Sequence, residues 1–106
     1  MNEYSQILKG VLEGIVLMII KRNETYGYEI VQTFNKNSSF KICEGTIYPL
    51  LIRSEKNNWI TTTMKKSELG PMRKYYSITD EGLEKIIKFK QNFENIKELV
   101  NKIWEE

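Results

Sequence analysis

The chain opens on an apolar pattern of helical period. Leu8, Val11, Leu12 and Ile15 recur at three- and four-residue spacing, and Met18 and Ile19 continue the stripe. This predicts a helix from about Ser5 to Arg22, apolar on nearly all sides in its second half and therefore largely buried. Asn23-Glu24-Thr25 interrupts it. Ile30, Val31 and Phe34 define a second helix over Tyr26 to Lys36, closed by Asn37-Ser38-Ser39, whose short polar side chains compete for backbone hydrogen bonds. A third helix is expected from near Glu44 to Asn57, with Ile47, Leu50, Leu51 and Ser54 facing inward and Thr46, Tyr48, Arg53 and Lys56 outward. A start at Glu44 to Thr46 places Pro49 in the first turn, where a missing N–H is tolerated. Asn57-Asn58 is a stop signal, because asparagine tolerates the left-handed backbone that helix ends often need.

From Trp59 the period changes from 3.6 to 2. Trp59 to Met64 and Lys74 to Ile78 are β-branched and aromatic, with Gly70-Pro71 as the breaker between them. This is a β-hairpin with Ile60, Thr62 and Met64 on one face and Tyr76 and Ile78 sharing a face of the other strand. Thr79-Asp80-Glu81 is an N-cap followed by acidic residues that oppose the helix dipole. The last helix then runs to about Trp104. Ile86, Phe89, Phe93, Ile96, Val100 and Ile103 form an a/d heptad seam along it, widened by Leu83, Ile87, Leu99 and Trp104. Such a seam is what helix pairing uses, so these six residues are expected at a homodimer interface.

Three helices, a two-stranded hairpin and a final helix is the order of a winged helix-turn-helix, an α+β fold that is mostly α. The expected division is a winged domain over residues 1–79 and a dimerisation helix over 80–106, within the single core that 106 residues can form. In this architecture the third helix lies in the DNA major groove and the wing touches the backbone nearby. The net charge of +2 is focused where that arrangement needs it. Residues 59–79 carry Lys65, Lys66, Arg73 and Lys74 against Glu68 alone, while residues 80–106 carry more acid than base. Thr46, Tyr48 and Arg53 of the third helix and the four wing cations are therefore the candidate DNA contacts. Thr46 has the alternative role of helix N-cap, and Tyr48 that of packing at the helix–wing junction.

The remaining composition excludes most catalysis. The chain has no histidine and one cysteine, which rules out an internal disulfide, Cys/His zinc clusters and histidine general bases. No enzyme, metal or cofactor is expected. Cys43 reads first as a structural cysteine; a redox-sensing thiol at the start of the third helix is the alternative, opposed by the neighbouring Glu44. The longest apolar stretch, Gly14 to Ile20, is too short to span a membrane, and no signal segment is visible, so a cytoplasmic protein is expected.

Three segments are more specific. Tyr26-Gly27-Tyr28-Glu29-Ile30, Glu44 to Leu51, and Gly70-Pro71-Met72-Arg73-Lys74-Tyr75-Tyr76-Ser77-Ile78-Thr79-Asp80-Glu81-Gly82, with Leu8-Lys9-Gly10 ahead of them, resemble the ordered motifs of the PadR family of bacterial transcriptional regulators. The short tail is similar to the compact branch of that family. The resemblance implies a homodimeric repressor of a palindromic operator, relieved by a small aromatic or phenolic effector. It also implies that the last helix packs against the first and last helices of the partner. By register from Tyr75-Tyr76, Phe93 falls at the position where some relatives stack aromatic compounds at the dimer centre, and Lys97 and Glu13 could line the same cavity. For Phe93 the alternative is dimer core. Two rival functions stay open: a winged protein-docking module without DNA binding, and an aromatic-ligand receptor whose DNA contact is secondary.

Overall fold

The computed structural model describes residues 3–67 and 70–105. Seven elements follow in order: α1 (Glu3–Arg22), β1 (Thr25–Tyr26), α2 (Gly27–Asn37), α3 (Glu44–Lys56), β2 (Ile60–Lys66), β3 (Met72–Ile78) and α4 (Asp80–Glu105). Glu68 and Leu69, in the expected hairpin tip, lie outside the described residues. α1 is the axis of the body. Its Val16, Leu17 and Ile20 are buried in one cluster with Ile30 and Phe34 of α2, Ile47 and Leu51 of α3, Ile60 of β2 and Tyr76 of β3. Burying one such aliphatic side chain is worth about 1.5–3 kcal/mol, so the near-continuous apolar run of α1 is what gathers the other elements.

Three local features differ from the sequence expectation. Thr25 and Tyr26 are not a helix break and a first helical residue but a strand, pairing Thr25 with Tyr76 and Tyr26 with Tyr75. The sheet therefore has three strands in the order β1-β3-β2 rather than two. The added strand caps the backbone edge that β3 would otherwise leave unpaired, and two residues are too few to show a period. Thr25 is 1% exposed, and its hydroxyl donates to Glu29 Oε1 at 2.6 Å. The second departure is Pro49, which sits in the second turn of α3 instead of the first. The carbonyl it deprives of a donor belongs to Gly45, which is exposed and open to water. The third is Ile86, expected at a dimer seam but 6% exposed within its own chain and part of the core. The first turns of α4 thus complete the body.

Two side-chain and backbone devices fix α3. The Asn35 amide mimics a peptide, donating to Ile42 O at 3.0 Å and accepting from Ile42 N at 2.9 Å, which sets the α2–α3 turn. At the other end, Asn58 adopts φ 61°. Asn58 N donates to Glu55 O and Trp59 N to Ser54 O, at 3.0 and 2.9 Å. This is a Schellman closure with asparagine in the place usually held by glycine. The chain then returns to the same spot from β3. Thr79 N donates to Trp59 O at 3.1 Å, its hydroxyl donates to Asn58 O at 2.6 Å, and Gly82 N donates to that hydroxyl at 2.9 Å. Thr79 is thus the N-cap of α4 expected from the sequence.

Gly82 closes this junction. A Cβ there would lie 2.1 Å from Trp59 O and 2.6 Å from Ile78 Cδ1. Alanine in place of helical glycine ordinarily gains up to about 1 kcal/mol. Here the steric conflict reverses the sign, and Gly82→Ala is expected to destabilise by about 1–3 kcal/mol, measured as a fall in the urea midpoint at unchanged slope.

Candidate nucleic-acid interface

α3 buries Ile47, Leu51 and Ser54 and turns its remaining faces outward. Thr46, Tyr48 and Arg53 are all exposed, Tyr48 to 57%. The N-cap of the helix is Cys43, not Thr46. Thr46 is the third helical residue, its N–H donating to Cys43 O at 3.0 Å, so its hydroxyl is left at the surface near the helix N-terminus. Tyr48 borders the wing, close enough for its charge to add to burial in pushing the Tyr76 phenol up. It nevertheless keeps more than half its surface open.

The wing register sorts the cations by face. Ile60, Thr62, Met64 and Lys66 oppose Ile78, Tyr76, Lys74 and Met72; Lys65 opposes Arg73. Paired residues share a face and alternate along the strand. Lys66 and Lys74 therefore share the face of the buried Ile60 and Tyr76, which looks toward α3. Lys65 and Arg73 lie on the other face, where Tyr75 and Tyr26 meet edge-on with centroids 5.3 Å apart. The Arg73 guanidinium sits 4.1 Å over the Tyr26 ring, and Lys65 Nζ is 5.3 Å from the Tyr75 ring.

The sequence reading overlooked the carboxylates among these groups. Glu55 Oε1 is 3.4 Å from Lys74 Nζ, while its Oε2 accepts from Thr62 Oγ1 at 2.8 Å. Glu24 pairs with Lys65 and accepts from Ser77 Oγ at 3.2 Å. The hydrogen bond from the Lys65 ammonium holds the Glu24 carboxyl below the usual carboxylate range. Glu13 Oε2 lies 3.2 Å from Arg53 Nε. Partners as far as 53 residues apart in sequence leave no local signal. Exposed Met64, Met72 and Ile52 are a second omission, because an apolar residue at a regular strand or helix position reads as core.

A second candidate site lies between α1 and α4. A groove of about 350 Å³ is lined by Glu13, Gly14, Lys85, Phe89, Phe93 and Ile96, among others. It brings Glu13 and Phe93 together. Lys97 is not among its lining residues and instead pairs with Glu94 at 3.9 Å. On the other side of Phe89 and Phe93 a largely apolar groove of about 430 Å³ runs along α1 past Tyr4, Ile7, Val11 and Met18. Beyond Phe93, α4 leaves the body with its apolar side chains uncovered, Ile103 at 62% and Trp104 at 87% exposure. No group of His, Cys, Asp and Glu suited to a metal ion occurs among the described residues. None of their helices is long and apolar enough to cross a membrane.

A body of three helices, a wing beside an exposed third helix, and a projecting final helix define a winged helix-turn-helix protein. The family model of PadR-like transcriptional regulators matches residues 16–88. The chain belongs to this family, whose members are transcriptional regulators and not enzymes. It is 48% identical to a PadR-like transcriptional regulator of Bacillus cereus, covering 95% of this chain and 98% of that one with a TM-score of 0.83. A Streptococcus transcriptional regulator is also 48% identical, over 92% of this chain and 96% of that one, with a TM-score of 0.81. Bacillus subtilis PadR in complex with operator DNA shares the fold at 23% identity, covering 74% of this chain and 46% of that one, with a TM-score of 0.67.

Cys43 is a free, exposed cysteine. Its thiol is held below the ordinary range, first by the Thr46 hydroxyl 3.5 Å from Sγ and then by the backbone N–H groups of Thr46 and Gly45. A thiolate stabilised this way reacts at lower pH. The midpoint of the pH–rate profile for iodoacetamide alkylation is therefore expected below that of a free thiol, and Thr46→Val is expected to move it upward.

Proposed function

We propose that this regulator acts as a homodimeric repressor that reads duplex DNA with α3 and holds the phosphate backbone with its wing. The observation that carries the reading is the placement of Lys66 and Lys74 on the wing face that looks toward the exposed Tyr48. Neutral hydrogen-bonding groups at the start of α3 suit base edges, whereas lysines at the flank suit phosphates. The operator complex of Bacillus subtilis PadR supports this use of the fold. Dimerisation through the outer part of α4 joins two unsatisfied surfaces, the Phe93, Ile96, Val100 and Ile103 seam and the apolar groove along α1. Two recognition helices then meet successive major grooves about 34 Å apart, which calls for a palindromic operator. The α1–α4 groove, with Phe93 and Glu13, is the place where a small aromatic effector fits.

Selection of bound duplexes from a random pool, with the mass in solution recorded by light scattering, tests the reading. A dimer that enriches a palindrome with half-sites one helical turn apart is expected. A folded dimer that never enriches a sequence would instead favour protein docking, the use that exposed Met64 and Met72 suit. Lys66→Ala is expected to weaken binding to every sequence and to flatten the salt slope by about 0.9. Tyr48→Ala is expected to change base preference at one position of each half-site, read from the same selection.

A further inference from the structure

Three of the five cations named as candidate DNA contacts, Arg53, Lys65 and Lys74, are each paired with a glutamate, Glu13, Glu24 and Glu55, with Lys65 on the outer face of the wing. These are not the i, i+4 pairs that ordinarily decorate a helix surface, as Lys90–Glu94 and Lys102–Glu98 do on α4. Glu13 comes from α1, Glu24 from the turn after it, and Glu55 from α3 itself. In every pair the cation is the more exposed member, at 64% against 20% for Arg53–Glu13, 49% against 34% for Lys65–Glu24, and 43% against 41% for Lys74–Glu55. Two of the glutamates are also tethered on the protein side. Glu24 accepts from Ser77 and Glu55 from Thr62, while Glu13 Oε2 is out of contact with water.

The long cationic side chains can reach outward past the shorter carboxylates. We propose that Glu13, Glu24 and Glu55 set the affinity of the protein for DNA by holding these cations. Each holds a cation that a backbone phosphate has to take over, and each then stays behind as a fixed negative charge beside that phosphate. A carboxylate within a Debye length of the phosphate, about 8 Å at physiological ionic strength, repels it. The set keeps affinity for arbitrary duplex below what the cations alone provide, so that occupancy depends more on the base contacts of α3. The inference rests on the DNA-binding reading above.

Glutamine is nearly isosteric and keeps an oxygen for Thr62 and Ser77, so Glu13→Gln, Glu24→Gln and Glu55→Gln remove charge with little change of shape. Fluorescence anisotropy on a labelled duplex of mixed sequence, over a series of salt concentrations, compares them with the wild-type chain. Each variant is expected to bind about 3-fold tighter at low salt, the gains multiplying when combined and fading as salt rises. Glu98→Gln makes the same change in net charge far out on α4 and is expected to leave affinity unchanged. Equal or weaker binding by Glu24→Gln and Glu55→Gln would overturn the proposal and make these residues clamps that position the wing. A gain for Glu98→Gln as large as theirs would also overturn it, leaving only total charge. A wild type with no salt-dependent affinity for duplex would bring down the DNA-binding reading itself. Glu24 and Glu55 lie at the surface, so the test stands even if Glu13→Gln fails to fold by circular dichroism.

Discussion

One backbone contact governs how the parts of this molecule meet. The start of α4 runs so close over the carbonyl of Trp59 that only glycine fits at position 82. That carbonyl belongs to the turn that ends α3 and starts β2, and it also accepts from Thr79 at the end of β3. Third helix, both wing strands and final helix therefore share one hydrogen-bonded knot a few residues wide. The left-handed Asn58 lets the chain enter it, Thr79 caps the helix that leaves it, and Gly82 sets the distance of approach. None of these groups faces the proposed DNA surface, yet together they decide the angle between α3 and the wing.

Charge on that surface is arranged by position more than by amount. The exposed ion pairs contribute little to stability, typically 0–1 kcal/mol each, so their value lies in where they hold charge. α3 offers Thr46 and Tyr48 near its N-terminal end, and the cations stand at its C-terminal flank and on the wing. Stacking of Arg73 on Tyr26 and of Lys65 near Tyr75 links the outer wing face to β1. The two-residue strand thereby does more than cap a sheet edge, because it supplies the aromatic floor on which a wing cation rests.

Much of this was legible in the sequence. The helical stripes of α1 and α4, the change of period at Trp59, the Asn57-Asn58 stop and the Thr79 cap are local signals, and local physics decided them. The family resemblance also held, the family model matching residues 16–88. What was not legible depends on contacts distant in sequence. β1 exists only because β3 has an open edge, and Ile86 joined the core because the body needed a last wall. Cys43 stayed outside because the helix it caps begins at the surface. The glutamate partners of Arg53, Lys65 and Lys74 belong to the same class. Glu24 and Glu55 carry no signal of their own, and Glu13 stood out only as a cavity residue, until folding sets each beside a cation.

The packing of Phe89 on Gly14 has a mechanical meaning. The ring lies where a Cβ of residue 14 would be, within 2.5 Å of that position, so α4 rests directly on the backbone of α1. Sixteen residues of α4 continue beyond Phe89 to Glu105, a rod of about 24 Å at 1.5 Å per residue. With Phe89 as the fulcrum, a tilt of about 5° at this bearing carries the far end roughly 2 Å sideways over such a length. The immediate neighbour of the bearing on α1, Glu13, holds Arg53 of α3. A small wedge driven between Gly14 and Phe89 would thus reseat the bearing itself, and any tilt it imposed there would be magnified at Trp104.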